Sequence, residues 1–143
     1  MTKLLLTSFS KYQNFGLLLT RIIIGGSYIY VHGFKKVMGG TETWEIIGTA
    51  IKSIGINFYT VFWGFMASIS EFLGGLLLVV GLFFRPAAVF IFLTMVVATT
   101  NHISNGDPIG RIAYPLEMAS LMFLLIFIGP GKFSLDKYFF NKI

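Results

Sequence analysis

The sequence predicts an all-α integral membrane protein: a four-helix bundle with a short interfacial helix between its first two spans. Three observations carry that prediction. Hydrophobic residues make up 55% of the 143-residue chain and charged residues only 12%, about half the usual charged share of a soluble globular domain. Eleven Lys and Arg with six Asp and Glu are too few to cover the surface of a soluble protein of this length. Four apolar stretches reach the roughly 20 residues needed to cross about 30 Å of hydrocarbon. The length suits one domain, residues 1–143.

The first span is expected over residues 14–33 and the second over 58–82. The third is expected over 86–104 and the fourth over 112–129. Pro86 suits an opening helical turn, where its missing N–H costs nothing. The fourth span stops at Gly129, Pro130 and Gly131. Pro115 falls in the first turn of that span and should bend it little. Asn105, Gly106, Asp107 and Pro108 make a compact turn between spans three and four. The bend between spans two and three is tighter, with Arg85 the only charge near it. In the longest connection, residues 35–57, Trp44, Ile47, Ile51 and Ile54 recur at helical spacing. Glu45, Thr49 and Lys52 take the other side, and Gly55 is a stop. This reads as a short amphipathic helix lying at the interface. Both terminal segments also read as interfacial, and the first residues lack a small-residue cleavage site, so no removable signal peptide is expected.

Counting cations outside the spans orients the chain. One side holds Lys3, Lys11, Arg85, Lys132, Lys137 and Lys142; the other holds Lys35, Lys36, Lys52 and Arg111. The excess places both termini in the cytoplasm, in what reads as a bacterial inner membrane. The net charge of +5 therefore reports topology and not nucleic-acid binding, since no basic stripe is present. The chain has no cysteine, which excludes thiol redox chemistry, cysteine-ligated clusters and disulfides.

Ionisable groups inside a span cost roughly 2.5 kcal/mol or more and so point to function. The candidates are Arg21, His32, Glu71, His102 and Glu117. Arg21, Gly25, Tyr28 and His32 share one face of span one, and Gly64, Ser68, Glu71 and Gly75 share one face of span two. Span three lines up Thr94, Ala98 and either Asn101 or His102; span four lines up Tyr114, Glu117 and Leu121. At about 1.5 Å per residue, Arg21 lies roughly 10 Å from the inner end, Glu71 about 16 Å, Glu117 about 18 Å, His102 about 24 Å and His32 about 27 Å. Side chains lean toward their helix N-terminus, so the two histidines and two glutamates are expected to converge in the outer half of the bundle. Arg21 has two readings: it turns up to pair with a glutamate, or it snorkels to the inner surface.

Plainer structural readings stand beside these. An Arg21–Glu71 pair would lock two helices, His32 would sit among headgroups with Lys35 and Lys36, and His102 would be a satisfied span-end residue. Two His and two Glu suit zinc, iron or manganese, but no tight ligand motif such as H-E-x-x-H occurs, so no metal is assigned. Haem would need His32 and His102 as axial ligands at the outer rim. No phosphate loop, dinucleotide fingerprint or nucleophile elbow is present.

The run RIIIG at residues 21–25, leading to HGFKK at 32–36, resembles the first-span signature of the DoxX family. The run EFLGGLLLVVGLFFRPAA at residues 71–88 is similar to that family's second-span signature and following turn. The resemblance covers residues 14–130 and implies a four-helix bundle acting at a respiratory or redox membrane. Family members include a subunit associated with a terminal quinol oxidase and proteins similar to the membrane part of a thiosulfate:quinone oxidoreductase.

The expected function is therefore a quinone-linked redox membrane protein, acting as a subunit with a partner redox protein. His32 and His102 would donate to quinone carbonyls, and Glu71, His102 and Glu117 are the candidate catalytic groups. Arg21, Tyr28, His32 and Asn101 are the candidate cofactor-binding residues. Phe and Met side chains would line a slot for the quinone tail, and membrane lipids surround the whole. The alternatives are a non-catalytic assembly subunit and a small proton-coupled transporter, although the acid that marks the small multidrug type is absent from span one. Gly26 and Gly74 offer faces for homo-oligomer formation.

Overall fold

The structure, a computed structural model, describes residues 10–140, all of them in helices and short connections. Lys3 and Lys142, two of the cations counted above, lie outside the described residues, as do most of the N-terminal segment and the last three residues of the C-terminal one, both read as interfacial. After a 3-10 turn, Ser10–Tyr12, helix α1 spans Gln13–Ser27. It continues without a break through a π-helical turn, Tyr28–Gly33, into α2, Phe34–Met38. Then follow α3, Gly40–Gly48, and a 3-10 segment, Thr49–Ile54. The remaining long helices are α4, Thr60–Val80, α5, Phe84–Ser104, and α6, Ile109–Ile128. A short α7, Leu135–Phe140, closes the described chain. Among the described residues, four helical stretches are long and apolar enough to cross a membrane: Gln13–Met38, Thr60–Val80, Phe84–Ser104 and Ile109–Ile128.

The first stretch is longer than its apolar run suggests, because Lys35 and Lys36 stay on the helix. The expected stops at Gly55 and Gly129 fall in place, and Gly81 adds a third: Gly55 (φ 87°) and Gly81 (φ 68°) take the left-handed conformation that ends a helix, and Gly129 has a positive φ of 79° with extended ψ. Pro115 is not in a first turn. Helix α6 begins at Ile109, so Pro115 is its seventh residue, and the helix runs on through it.

Each span packs on its successor, α1 on α4, α4 on α5 and α5 on α6. The α1–α4 crossing is made by glycine. A Cβ on Gly25 would fall 2.7 Å from the Gly75 carbonyl oxygen, and one on Gly33 would strike the Phe72 backbone. Small residues let two helix backbones approach this closely. The apolar core lies between α4, α5 and α6, around Leu78, Phe84, Ala88, Ile91, Met95, Met122 and Leu125.

Helix α3 forms as its periodicity predicts, with Ile51 of the following 3-10 segment buried and Glu45, Thr49 and Lys52 exposed, though Ile54 is also exposed. Its placement differs from a helix lying free at the interface. It is docked on the start of α4, with Gly48 against Thr60 and Gly64 against Trp44, main chain to main chain. The Trp44 indole donates to the Lys36 carbonyl at 2.9 Å, and the Ser53 and Thr100 hydroxyls meet at 3.0 Å. The segment thus roofs the gap between α4 and α5.

Candidate functional site

The buried carboxylate of α4 organises the site. Glu71 is 2% exposed, and the Lys36 ammonium donates to both its oxygens, at 2.8 and 2.6 Å. Lys36 is the partner that sequence reasoning missed. Its neighbours Lys35 and Gly33 suggested a headgroup loop, whereas the helix carries on. Eight residues of regular helix would rotate Lys36 about 80° away from Tyr28. The wide π turn takes up that rotation and keeps Tyr28, His32 and Lys36 on the side of α4. A single π turn inside an α-helix is a frequent marker of a functional segment.

A cavity of about 250 Å³ opens beside this ion pair, between α4 and α5 and beneath the α3 roof. Lys36 and Glu71 form its polar end, and Met66, Phe90, Leu93 and Val97 form apolar wall. Trp63 also lines this cavity, and its indole N–H is buried without an acceptor. Ser70 and Thr94, hydrogen-bonded at 3.1 Å, add hydroxyls. Met66, Ser70 and Phe90 also belong to a second apolar pocket of about 180 Å³ that runs along α4 and α5 toward Leu77 and Pro86. Together the two make an amphipathic slot, polar at the roofed end and greasy along the bundle.

On its other side Glu71 neighbours a run of proton-bearing groups. The Tyr28 hydroxyl, in a side chain 1% exposed, makes no well-formed hydrogen bond but lies beside the Tyr114 hydroxyl and within electrostatic reach of Glu71. The Tyr114 hydroxyl is 2.7 Å from His32 Nε2, the two rings stack at 5.0 Å, and Tyr114 is 38% exposed.

The expected convergence of four groups does not occur. His32 joins the Tyr114 group, near Glu71. His102 instead bonds Asp107 Oδ2 through Nδ1 at 2.8 Å, and Arg111 holds the other oxygen of that carboxylate at 3.1 Å. The hydrogen bond from His102, with Arg111 beside it, holds the Asp107 carboxyl below its ordinary pKa. Glu117 is exposed on the outer side of α6. Asn101, half-buried at the same end as His102, does not line the cavity. The reason lies in α5 and α6, which turn apolar faces inward: Ile91 and Met95 on one, Ala119, Met122 and Leu125 on the other. That rotation carries Glu117 out of the bundle. Among the described residues, no three His, Asp or Glu side chains are placed to hold a metal ion.

Arg21 follows neither expected reading: it pairs with no glutamate, and it does not snorkel into water. It is 1% exposed and grips main-chain oxygens: Nε to Leu78 at 2.9 Å, Nη2 to Val79 at 2.8 Å, and Nη1 to Pro130 and Phe133 at 2.8 and 2.9 Å. It clamps the end of α4 to the segment after α6 and is remote from the cavity lining. Gly74 packs on Ile91 inside the chain, so it is not free for a second copy; Gly26 has open space around it.

Comparison with known proteins agrees with this architecture. The DoxX family model matches residues 16–103. The inner membrane protein YphA of Escherichia coli (strain K12) is 31% identical over 141 residues, covering 89% of this chain and 96% of that protein. No solved structure gives a significant match. With its signature stretches lying on the α1–α4 crossing and the α4–α5 turn, this multi-pass integral membrane protein belongs to the DoxX family.

Proposed function

We propose that this chain is a quinone-linked subunit of a membrane redox system, with the quinone headgroup in the roofed cavity and its tail along the α4–α5 slot. The observation that carries the reading is a pair of donor residues lining an apolar slot: half-buried Lys36, its ammonium already fixed by Glu71, and Trp63, whose N–H has no protein acceptor. A quinone presents two carbonyl oxygens that only accept hydrogen bonds, so it satisfies both donors. An unpaired buried donor costs about 1–3 kcal/mol, and a ligand that pairs it recovers that cost. Lys36 and Trp63 thus take the donor role first expected of His32 and His102. When bound, the quinone supplies reversible electron and proton chemistry, and a partner protein carrying a redox centre exchanges the electrons. Glu71 holds or releases the proton beside Lys36, and Tyr28, Tyr114 and His32 offer it a way to the exposed edge of α6. The cytoplasmic placement of both termini and the inner-membrane location belong to the same reading; the cation count and the inner-membrane relative support them.

Titration of the detergent-purified protein with a short-tailed quinone analogue, followed by tryptophan quenching and thermal shift, tests it. Saturable binding that Trp63→Phe and Lys36→Met each weaken at least about ten-fold, roughly 1.4 kcal/mol, is expected. Absence of both quenching and thermal shift in the unmutated protein overturns it.

The assembly-subunit reading draws on a specific observation too: the Lys36–Glu71 pair and the Arg21 clamp are complete structural contacts without any ligand. It predicts that Glu71→Gln and His102→Ala lower melting temperature and any activity together. Loss of analogue binding in Trp63→Phe at unchanged melting temperature separates the two.

A further inference from the structure

The surface carrying α7 holds a second cleft, of about 650 Å³, at the opposite end of the bundle from the α3 roof. Its rim carries Arg85, Lys132 and Lys137, and its wall carries Phe83, Ile128 and Phe140. We infer that this cleft binds the phosphate of an anionic phospholipid, with the acyl chains against the aromatic wall.

Two hydrogen bonds position the Arg85 guanidinium and the Lys132 main chain at this rim. Arg85 donates from Nε to the Ile126 carbonyl at 3.0 Å, which anchors the guanidinium across the end of α6. Gly129, with φ 79° and no side chain, leaves room there, since a Cβ would meet Arg85 Nη2 at 3.1 Å. The Lys132 backbone N–H donates to Asn14 Oδ1 at 2.8 Å, tying that lysine to the start of α1. The neighbouring acid, Asp136, has both carboxylate oxygens engaged by the Phe83 and Phe84 N–H groups, at 2.8 and 2.9 Å, where it neutralises the positive end of α5. The rim therefore keeps a cationic excess, set at the end of the spans where headgroups lie. Phe83 and Phe140 are 54% and 46% exposed, an apolar surface that water does not favour and acyl chains do. Basic pockets between helix ends bind anionic headgroups on these grounds.

Native mass spectrometry of the delipidated full-length protein tests the assignment, with phosphatidylglycerol and phosphatidylcholine added separately. Phosphatidylglycerol is expected to be retained at least ten-fold more tightly. Lys132→Gln with Lys137→Gln, which removes no hydrogen bond the fold uses, is expected to erase most of that preference, and Arg85→Gln to reduce it further. Lys11→Gln, a cation outside the cleft, is expected to leave it unchanged. Equal retention of the two lipids overturns the proposal. So does an equal loss from Lys11→Gln, which would indicate diffuse attraction, or displacement of the lipid by millimolar inorganic phosphate, which would make the site one for free phosphate.

Discussion

Glu71 and Lys36 show how the meaning of one residue depends on another that is 35 positions away. Each is costly alone in the bilayer, and together they form a pinned pair. Removing one partner of a buried pair leaves an uncompensated charge, at a cost of about 3–5 kcal/mol. Because Lys36 is 31% exposed, Lys36→Met should fall near the low end, about 3 kcal/mol. The double variant Lys36→Met, Glu71→Leu should recover most of that loss, as thermal denaturation of the three variants in one detergent would show. Glu117 behaves oppositely. Lying outside the bundle, it can be replaced by Leu with unchanged analogue binding, while Glu71→Leu abolishes binding in the same titration. Asp107 supplies a pH test. Its folded pKa is lowered by His102 and Arg111, so its contribution is present above the unfolded value of about 3.9 and fades as pH falls through the folded value. Asp107→Asn should remove that acid sensitivity, read as amide exchange in the turn between α5 and α6 from pH 6 to 3.

At the scale of elements, Arg21 is the fastener. Four carbonyl oxygens of two separate chain segments converge on its guanidinium, a planar fork that an ammonium does not reproduce. Arg21→Lys is expected to lower stability by about 2 kcal/mol and Arg21→Ala by about 4 kcal/mol or more, because the alanine leaves those oxygens buried and unpaired. Urea or thermal unfolding in detergent reads both. The α4–α5 turn depends on distant chain in the same way. Phe83 holds a left-handed φ of 45°, and Asp136 of α7 caps the helix that follows. The glycine crossing of α1 on α4 sets the distance over which Lys36 reaches Glu71. Gly75→Val should push the helices apart and lose both fold stability and analogue binding.

For the whole molecule, orientation is directly testable because the chain contains no cysteine. Single replacements Lys137→Cys and Arg111→Cys lie at opposite ends of the bundle. With both termini in the cytoplasm, an impermeant thiol reagent should label the Arg111→Cys protein in intact spheroplasts and the Lys137→Cys protein only after lysis.

How much of this was legible in the sequence differs between fold and site. Span number, the short helix before α4 (though not its docking), the stops at Gly55 and Gly129 and the small-residue face around Glu71 follow from length, periodicity and backbone sterics, all of which act over a few residues. Helix phase on α5 and α6 does not, because polar residues there were assumed to face inward while the actual faces are chosen by apolar packing between those two helices. The π turn that brings Lys36 to Glu71 leaves no mark in hydropathy, and the pairing of Arg21 with the chain after α6 joins residues more than a hundred positions apart. Sequence alone thus determined that this chain spans the membrane as four helices with charge inside them. Only the tertiary structure decided which charges meet, since that depends on how each helix is rotated about its axis, and rotation is set by contacts between helices and not within them.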